Sequence, residues 1–293
     1  MPVPLVETAS AKVNLTLRVL GRRADGYHEL SSLVAFADCG DRLSLTPGDE
    51  LKLTVGGPRA AQAGADADNL VLKASRALAA RIPGLVTGAF QLDKELPVAA
   101  GLGGGSADAA AALRLLARAN DLPAGDPRLY EAARATGADV PVCLDPRPRL
   151  MWGIGEKLSA PLNLPKLAAV LVNPGVTLAT KDVFAGWTGA TDPLPPFDLA
   201  AVEKARDRQQ FFLALARQGN DLEAAAVKLA PAVGDLLAVL RTLAGCRLAR
   251  MSGSGATCFG IFDGAAEARS AADAMSNKYP RWWVRACVLA SAS

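Results

Sequence analysis

A glycine-crowded loop that opens directly into an alanine- and leucine-rich helix constrains this chain more than any other feature. Residues 96–113 read LPVAAGLGGGSADAAAAL, with four glycines between Gly101 and Gly105. Glycine lacks a Cβ and permits positive φ angles, so the backbone amides can approach a ligand closely. The helix adds free N–H groups and the positive end of its dipole. The junction therefore predicts an anion site, with phosphate as the natural occupant.

The spacing of this loop separates it from two familiar phosphate-binding patterns. GxxxxGK[ST] requires a lysine and a hydroxyl residue after the last glycine, whereas Gly105 is followed by SAD. The dinucleotide pattern GxGxxG begins at Gly101 and Gly103, but Ser106 stands at the third glycine position. The first pattern is excluded and the second is weakened. A turn that only leads into a core helix is the alternative, and four glycines within five residues argue against it.

Composition places the chain among ordinary globular proteins. Its 293 residues are 51% hydrophobic and 21% charged, with a net charge of +3, and they suffice for one large or two medium domains. Scattered arginines do not suggest a nucleic-acid groove, and no apolar run approaches the ~20 residues of a membrane span. MPVPLVETAS lacks a signal-peptide pattern, so we expect a cytoplasmic protein without membrane or nucleic-acid partners. Five cysteines without a CxxC pair and a single histidine disfavour zinc and disulfides, and buried free thiols are expected.

Hydrophobic periodicity in the first half predicts strands followed by helices. Apolar residues alternate over 13–19, which predicts a half-buried strand with Lys12 and Asn14 on its other face. Alternation on both sides of PGDE at 47–50 predicts a hairpin. The further predicted elements are a helix from Asp68, its capping residue, to about Arg81, a strand at 90–92, and a helix from the glycine loop to about Ala119.

The second half predicts a different layer. Prolines and glycines interrupt residues 143–164, which suits a crossing between domains, and we place the boundary near Ser159. Helices interposed between strands after it predict a split βαβ, ferredoxin-like layer and an α+β fold with domains 1–158 and 159–293. The predicted elements are a strand at 167–173, helices at about 198–217, 222–229 and 233–243, strands near Leu248 and Cys258, a helix at 265–277 and a strand at 282–289.

Four further segments look unlike plain scaffold. Lys12 stands at the end of a predicted strand. Tyr27 and His28 follow the turn-forming DG of ADGYHEL. Asp139 lies among small and apolar residues in TGADVP, a setting that suits a shielded general base. RMSGSGATCFGIF carries a second glycine turn at 253–255. Their plain alternatives are a solvated strand end, an anchored loop, a helix cap and a tight turn.

Together these segments resemble the GHMP class of small-molecule kinases. PVAAGLGGGSADAA, GADVP and MSGSGATCFG follow an early Lys12 in the order of that class. AKVNLTL, GRRADGYHEL and LGGGSADAAAAL are similar to its branch in the non-mevalonate isoprenoid pathway, and DGYH is the most discriminating block. The resemblance extends through DNL at 68–70, GIGE at 153–156, PGVTLAT at 174–180 and NDLE at 220–223.

The resemblance implies a fold, a reaction and ligands. It implies an N-terminal domain like the second domain of ribosomal protein S5, a ferredoxin-like C-terminal domain, and an active site in the cleft between them. The implied reaction transfers phosphate from ATP, with Mg²⁺, to the small-molecule substrate cytidine diphosphate methylerythritol. The family commonly has two serines after the glycines, whereas this chain has Ser106 and then Ala107, so a single hydroxyl must serve.

The resemblance also implies roles for individual residues. Asp139 matches the base and Lys12 the catalytic lysine, while Asn69 and Lys94 fall near the adenosine. Tyr27 and Phe184 match aromatic residues that sandwich cytosine, His28 reads the polar edge of the base, and Asn14 and Thr180 line the erythritol end. The matching triphosphate loop comprises Pro97, Val98, Ala99, Ala100, Gly101, Leu102, Gly103, Gly104, Gly105, Ser106 and Ala107.

Three other functions compete with this hypothesis. Another GHMP kinase would act on homoserine or mevalonate, which DGYH and Phe184 argue against. A non-catalytic nucleotide sensor on the same fold would not need both Lys12 and Asp139. A dehydrogenase is disfavoured by the missing third glycine. The sequence assigns no metal ligand and no oligomeric state.

Overall fold

The computed structural model describes residues 3–63, 69–189 and 208–290. The chain forms two compact units, each assembled from several segments. The first unit comprises Met1–Lys12, Cys39–Val98 and Gly103–Pro146, and the second comprises Val13–Asp38, Ala99–Leu102 and Arg147–Ser293. Our predicted boundary near Ser159 assumes one segment for each domain, whereas each unit here has three segments. The boundary stays a prediction.

The strands and helices occur in short runs along the chain. In the described residues the strands are β1 (Leu5–Asn14), β2 (Arg18–Arg22), β3 (His28–Gly48), β4 (Lys52–Gly56), β5 (Thr87–Asp93), β6 (Arg149–Gly153), β7 (Lys157–Leu158), β8 (Leu167–Asn173), β9 (Cys246–Met251), β10 (Cys258–Phe262) and β11 (Trp283–Leu289). The helices there are α1 (Leu70–Ala79), α2 (Gly104–Ala119), α3 (Pro127–Thr136), α4 (Val140–Cys143), α5 (Thr180–Ala185), α6 (Arg208–Ala216), α7 (Glu223–Leu229), α8 (Pro231–Thr242) and α9 (Ala265–Lys278).

The sheet of the first unit places β5 between β4 and residues 42–48 of β3. β4 runs parallel to β5, and β3 runs antiparallel to it. The predicted hairpin of β3 and β4 is therefore wrong. Phe90 and Leu92 of β5 are each only 1% exposed, whereas β4 keeps its residues exposed or half-buried. At the central position β5 buries more apolar surface than β4 does beside it.

Helices α1 and α2 pack together in the first unit. Asn69 caps α1, because its Oδ1 accepts a hydrogen bond from the Val71 amide at 2.9 Å, while the predicted capping residue Asp68 lies outside the described residues. In α2 the four alanines at 109–112 are fully buried, and their small side chains let the helix lie close to its neighbours. The predicted start and end of α2 are confirmed.

The second unit contains a four-stranded antiparallel sheet in the order β11-β8-β10-β9. Numbered along the chain, this order is 4-1-3-2, the arrangement of a ferredoxin-like split βαβ layer. All seven residues of β8 are buried. The predicted α+β fold and the predicted elements β8 to β11, α7, α8 and α9 are confirmed. Of the predicted helix at 198–217, residues 198–207 lie outside the described residues and the rest is α6.

The prediction of a continuous strand at 13–19 is wrong. The half-buried strand at 13–19 is divided, since β1 ends at Asn14 and β2 begins at Arg18. Residues 11–19 are all buried, because their polar side chains find internal partners. The segment at 143–164 carries the chain from the first unit, which ends at Pro146, into the second, and it also holds β6 and β7, of which β6 pairs with β3 over 30–34.

The remaining sequence expectations concern membranes and thiols. Across the three described ranges no helix has the length and apolar character to cross a membrane. All five cysteines are free, and Cys143, Cys258 and Cys287 are buried. Burial raises the pKa of Cys143 to about 12 and also raises that of Cys258, so both remain protonated thiols at neutral pH.

Candidate active site

A buried lysine and a partly exposed aspartate form an ion pair in the first unit. Lys12 Nζ donates to Asp139 Oδ2 at 2.9 Å, and the two side chains are 5% and 37% exposed. Lys12 lies near the end of β1, and Asp139 directly precedes α4 without capping it through its side chain. The helix-cap alternative for Asp139 is therefore excluded. The ammonium holds one oxygen of the carboxylate, and the Asp139 side chain as a whole remains partly exposed.

The end of the glycine loop touches the stem of this lysine. Gly103, with φ +61° and ψ +25°, is the residue before α2, and a Cβ built on it would lie 3.1 Å from Lys12 Cε. Gly101 also has a positive φ of +76°. Gly104 and Gly105 do not, contrary to the sequence expectation, because the helix has already begun at Gly104.

The first turn of α2 presents unpaired donors. A helix leaves its first N–H groups without an intrahelical partner, and the first such bond here joins the Ala107 amide to the Gly103 carbonyl at 2.8 Å. Among the described residues the Ser106 hydroxyl has no hydrogen-bond partner. The amides at 104–106 and this hydroxyl suit an anion.

The two residues expected near adenosine have other partners. Asn69 Oδ1 caps α1. Lys94 is 3% exposed, and its Nζ donates to Asp41 Oδ2 at 2.5 Å and to Asp108 Oδ2 at 2.6 Å. A buried ammonium held by two carboxylates is not available to a nucleotide. The geometry therefore disfavours an adenosine contact from the Lys94 side chain, while the place of Asn69 near adenosine stays a prediction.

In the second unit an aromatic cavity of about 650 Å³ collects the residues expected to bind the base. His28 stacks on Phe184, with ring centroids 4.8 Å apart and planes 26° apart. Trp187 meets the edge of His28 at 5.8 Å and 89°. Tyr27 lines the same cavity but is 62% exposed. The structure thus places His28, and not Tyr27, against Phe184.

The histidine of this cavity is neutral at neutral pH. Burial lowers the pKa of His28, and the nearby charge of Arg22 lowers it further. A neutral imidazole has one donor and one acceptor nitrogen and can pair with the polar edge of a base. Sequence reasoning missed Trp187; its signal was an aromatic residue one turn beyond Phe184.

Asn14 lies against the second glycine turn. Its backbone amide donates to Ser252 Oγ at 3.1 Å, and the Ser252 hydroxyl donates to the Gly101 carbonyl at 2.9 Å. Thr180 Oγ1 lies 3.0 Å from Ser254 Oγ. Both residues expected at the erythritol end therefore contact the turn. Ser252 joins it to the first glycine loop, a role that no pattern in the sequence indicated.

A buried asparagine fixes the shape of the same turn. Asn220, 8% exposed, donates from Nδ2 to the Met251 carbonyl at 2.9 Å and to the Gly253 carbonyl at 2.8 Å. Its Oδ1 accepts from the Leu222 amide at 2.9 Å. This residue opens the NDLE block, so the block has a structural purpose in holding the turn.

Comparisons with known proteins agree with the geometry. The family "GHMP kinases N terminal domain" matches residues 69–145, and "GHMP kinases C terminal" matches residues 199–281. The chain is 60% identical over 292 residues to the 4-diphosphocytidyl-2-C-methyl-D-erythritol kinase of Rhodopseudomonas palustris (strain ATCC BAA-98 / CGA009), with 96% of each chain covered.

Solved structures give the same picture of the fold. A crystal structure of 4-(cytidine 5'-diphospho)-2C-methyl-D-erythritol kinase is 37% identical, with a TM-score of 0.75 and coverage of 98% of this chain and 100% of the other. The homoserine kinase of Cytophaga hutchinsonii ATCC 33406 is 20% identical, with a TM-score of 0.74 over 98% of this chain and 95% of the other. The second likeness concerns the fold alone.

Proposed function

Because this chain belongs to the GHMP kinases, and within them to the 4-diphosphocytidyl-2-C-methyl-D-erythritol kinase family, we propose that it phosphorylates the 2-hydroxyl of that alcohol with ATP. The reaction belongs to the non-mevalonate route to isoprenoid precursors. We place it in the cytoplasm, where ATP is available. The substrate is a small molecule, and the proposal involves neither a membrane nor a nucleic acid.

The observation that carries the proposal is the pair formed by Lys12 and Asp139. The free oxygen of Asp139 would accept the proton of the attacking hydroxyl, while Lys12 would hold that hydroxyl and favour its alkoxide. The alkoxide oxygen then attacks the γ-phosphorus, and ADP leaves. A tertiary alcohol is hindered, so alignment matters more than basicity. A sensor that only binds nucleotide has no need for such a pair.

The glycine loop supplies the other half of the chemistry. Phosphoryl transfer depends on positioning and on neutralising charge, and the unpaired amides at 104–106 would do both for the triphosphate. The free hydroxyl of Ser106 suits Mg²⁺, which takes oxygen ligands and keeps several phosphates and waters. When bound, Mg²⁺ would neutralise charge on the phosphates.

The aromatic cavity accounts for the cytidine end. Phe184 offers a ring face and His28 a neutral pair of nitrogens, so the base would stack on the first and be read by the second. Tyr27 at the rim would cover the outer face of the base. Asn14 and Thr180 would hold the erythritol end near the second glycine turn.

Removing the aromatic ring on which the base stacks should weaken the binding of the cytidine substrate and not that of ATP. We expect Phe184→Ala to raise KM for the cytidine substrate about tenfold, since stacking on an aromatic ring contributes about 1–3 kcal/mol, with KM for ATP nearly unchanged. Steady-state ADP release with each substrate varied in turn measures both constants. Trp152→Ala, an exposed aromatic residue outside the cavity, is the control. Equal rises in both KM values would argue against a cytosine site here.

The direct test of function is a substrate panel. We expect ADP release with 4-diphosphocytidyl-2-C-methyl-D-erythritol and none above background with homoserine or mevalonate. Preference for either of the last two alcohols would assign the chain to another GHMP activity. Nucleotide binding without turnover on any alcohol would favour the sensor.

A further inference from the structure

Beneath the glycine loop lies a buried set of three charges, Lys94, Asp41 and Asp108. They are 3%, 0% and 3% exposed, respectively. Nζ of Lys94 donates to one oxygen of each carboxylate, at 2.5 Å and 2.6 Å. A Cβ on Gly104 would lie 3.3 Å from the same Nζ, so the ammonium is next to the first residue of α2. The catalytic hypothesis uses none of these three side chains.

The set joins the start of the loop to its end. Asp41, in β3, accepts through Oδ1 from the amides of Glu95 and Leu96 at 2.6 and 2.8 Å, where the loop begins. Its Oδ2 holds Lys94, which directly follows β5. Asp108 reaches the same ammonium from α2, beyond the end of the loop. Asp41 thus fixes the start of the loop directly, and Lys94 connects it to Asp108 in α2, where the loop ends.

Stability alone does not explain these charges. Burying ions costs free energy, and a well-packed apolar cluster often serves a core at least as well. Burial lowers the pKa of Lys94, but the charges of Asp108 and Asp41 outweigh this and leave it raised. Burial raises the pKa of Asp108 to about 7, and its Oδ1 has no hydrogen-bond partner within the described residues. What the three charges provide, beyond stability, is fixed geometry at one place.

We propose that Lys94, Asp41 and Asp108 are positioning residues that set the distance between the start of the glycine loop and the first turn of α2. This distance decides whether the amides at 104–106 converge on the phosphates. The inference rests on the proposed binding of ATP by this loop. It concerns geometry, and none of the three side chains contacts the nucleotide.

Breaking one link should impair ATP binding selectively. We expect Asp108→Ala to raise both Kd and KM for ATP about tenfold, because displacements of about 1 Å cost up to about 10²-fold in a positioned site, with KM for the alcohol unchanged. The variant should fold, because Lys94 and Asp41 remain as a neutral pair. Asp108→Asn should retain ATP affinity within about twofold, since its amide oxygen still accepts from Nζ.

The control removes a buried hydrogen bond elsewhere in the first unit. Ser75→Ala deletes a hydroxyl bond of 2.8 Å to the Val71 carbonyl within α1, and it should leave Kd for ATP unchanged. Should Asp108→Ala fail to fold, Asp41→Asn replaces it. That variant keeps an oxygen for the Glu95 and Leu96 amides but turns an NH₂ towards Nζ, and the same rise in Kd is expected.

Three results decide between the possibilities. Unchanged ATP affinity in folded Asp108→Ala, or in Asp41→Asn where the former does not fold, would overturn the inference and leave the set a core feature. Equal losses in Asp108→Ala and Asp108→Asn would also overturn it, because charge and not geometry would then matter. Absence of ATP binding in the wild type would instead refute the proposed function on which the inference rests.

Discussion

The Asp139→Asn variant should turn over about 10²–10⁴-fold more slowly than the wild type, which is the usual contribution of a positioned general base. An amide has nearly the shape of the carboxylate but does not accept the hydroxyl proton. Lys12, buried and paired with Asp139 at 2.9 Å, also loses its counter-charge. ATP affinity should change little, because the pair does not belong to the glycine loop. Single-turnover ADP release and equilibrium ATP binding measure the two quantities.

A matched substitution and a double variant sharpen this test. Asp121→Asn changes an exposed aspartate at φ +51°, a conformation that asparagine tolerates, and should leave kcat unaltered. If Lys12 and Asp139 act on one hydroxyl, Lys12→Met combined with Asp139→Asn should lose little more than the worse single variant. Additive losses, or near wild-type turnover of Asp139→Asn, would separate the two residues mechanistically.

Gly103→Val should lower kcat about 10²-fold, because small displacements of a catalytic group are that costly. The new Cβ would lie 3.1 Å from Lys12 Cε, which is tighter than most Cβ contacts. Lys12 must therefore move away from the position that Asp139 now fixes. Steady-state kcat and Tm, measured together, test the expectation.

Backbone strain at Gly103 needs its own control. Gly84 has a φ of +78°, and a Cβ added there would meet nothing within 4 Å, so Gly84→Val incurs only the cost of the left-handed conformation, roughly 1–2 kcal/mol. It should lower Tm without changing kcat. If Gly103→Val lowers Tm as much as Gly84→Val does and keeps the kcat of the wild type, the contact between Gly103 and Lys12 does not affect catalysis.

Local sequence patterns were sufficient to predict most of the helices and strands of the second unit. The ferredoxin-like layer followed from the order of apolar runs, and the start of α2 followed from glycines that precede an alanine-rich run. The predicted hairpin of β3 and β4 failed for a reason that no local pattern contains. Residues 42–48 of β3 pair with β5, which follows α1 in the sequence, so this pairing depends on a segment far away along the chain.

The site shows the same limit. The resemblance implied that Lys94 lies near the adenosine, but it did not show that the side chain is buried against Asp41 and Asp108, which stand 53 and 14 residues away in the sequence. Whether a lysine is solvated or buried depends on such distant carboxylates. The sequence also did not show which of the two residues, His28 or Tyr27, stacks on Phe184. The two are neighbours in a turn, and a sequence pattern does not distinguish the directions of their side chains.

The second glycine turn has one more consequence. A run such as MSGSG should be among the most mobile parts of a chain, because glycine loses more conformational entropy on ordering than any other residue. Here Asn220 holds two of its carbonyls, and the Ser252 hydroxyl is engaged by Asn14 and Gly101. The entropy is therefore lost once, when the protein folds, and not again at each catalytic cycle. A ligand that reaches this turn meets a surface already in its final shape, so more of its contact energy remains as affinity.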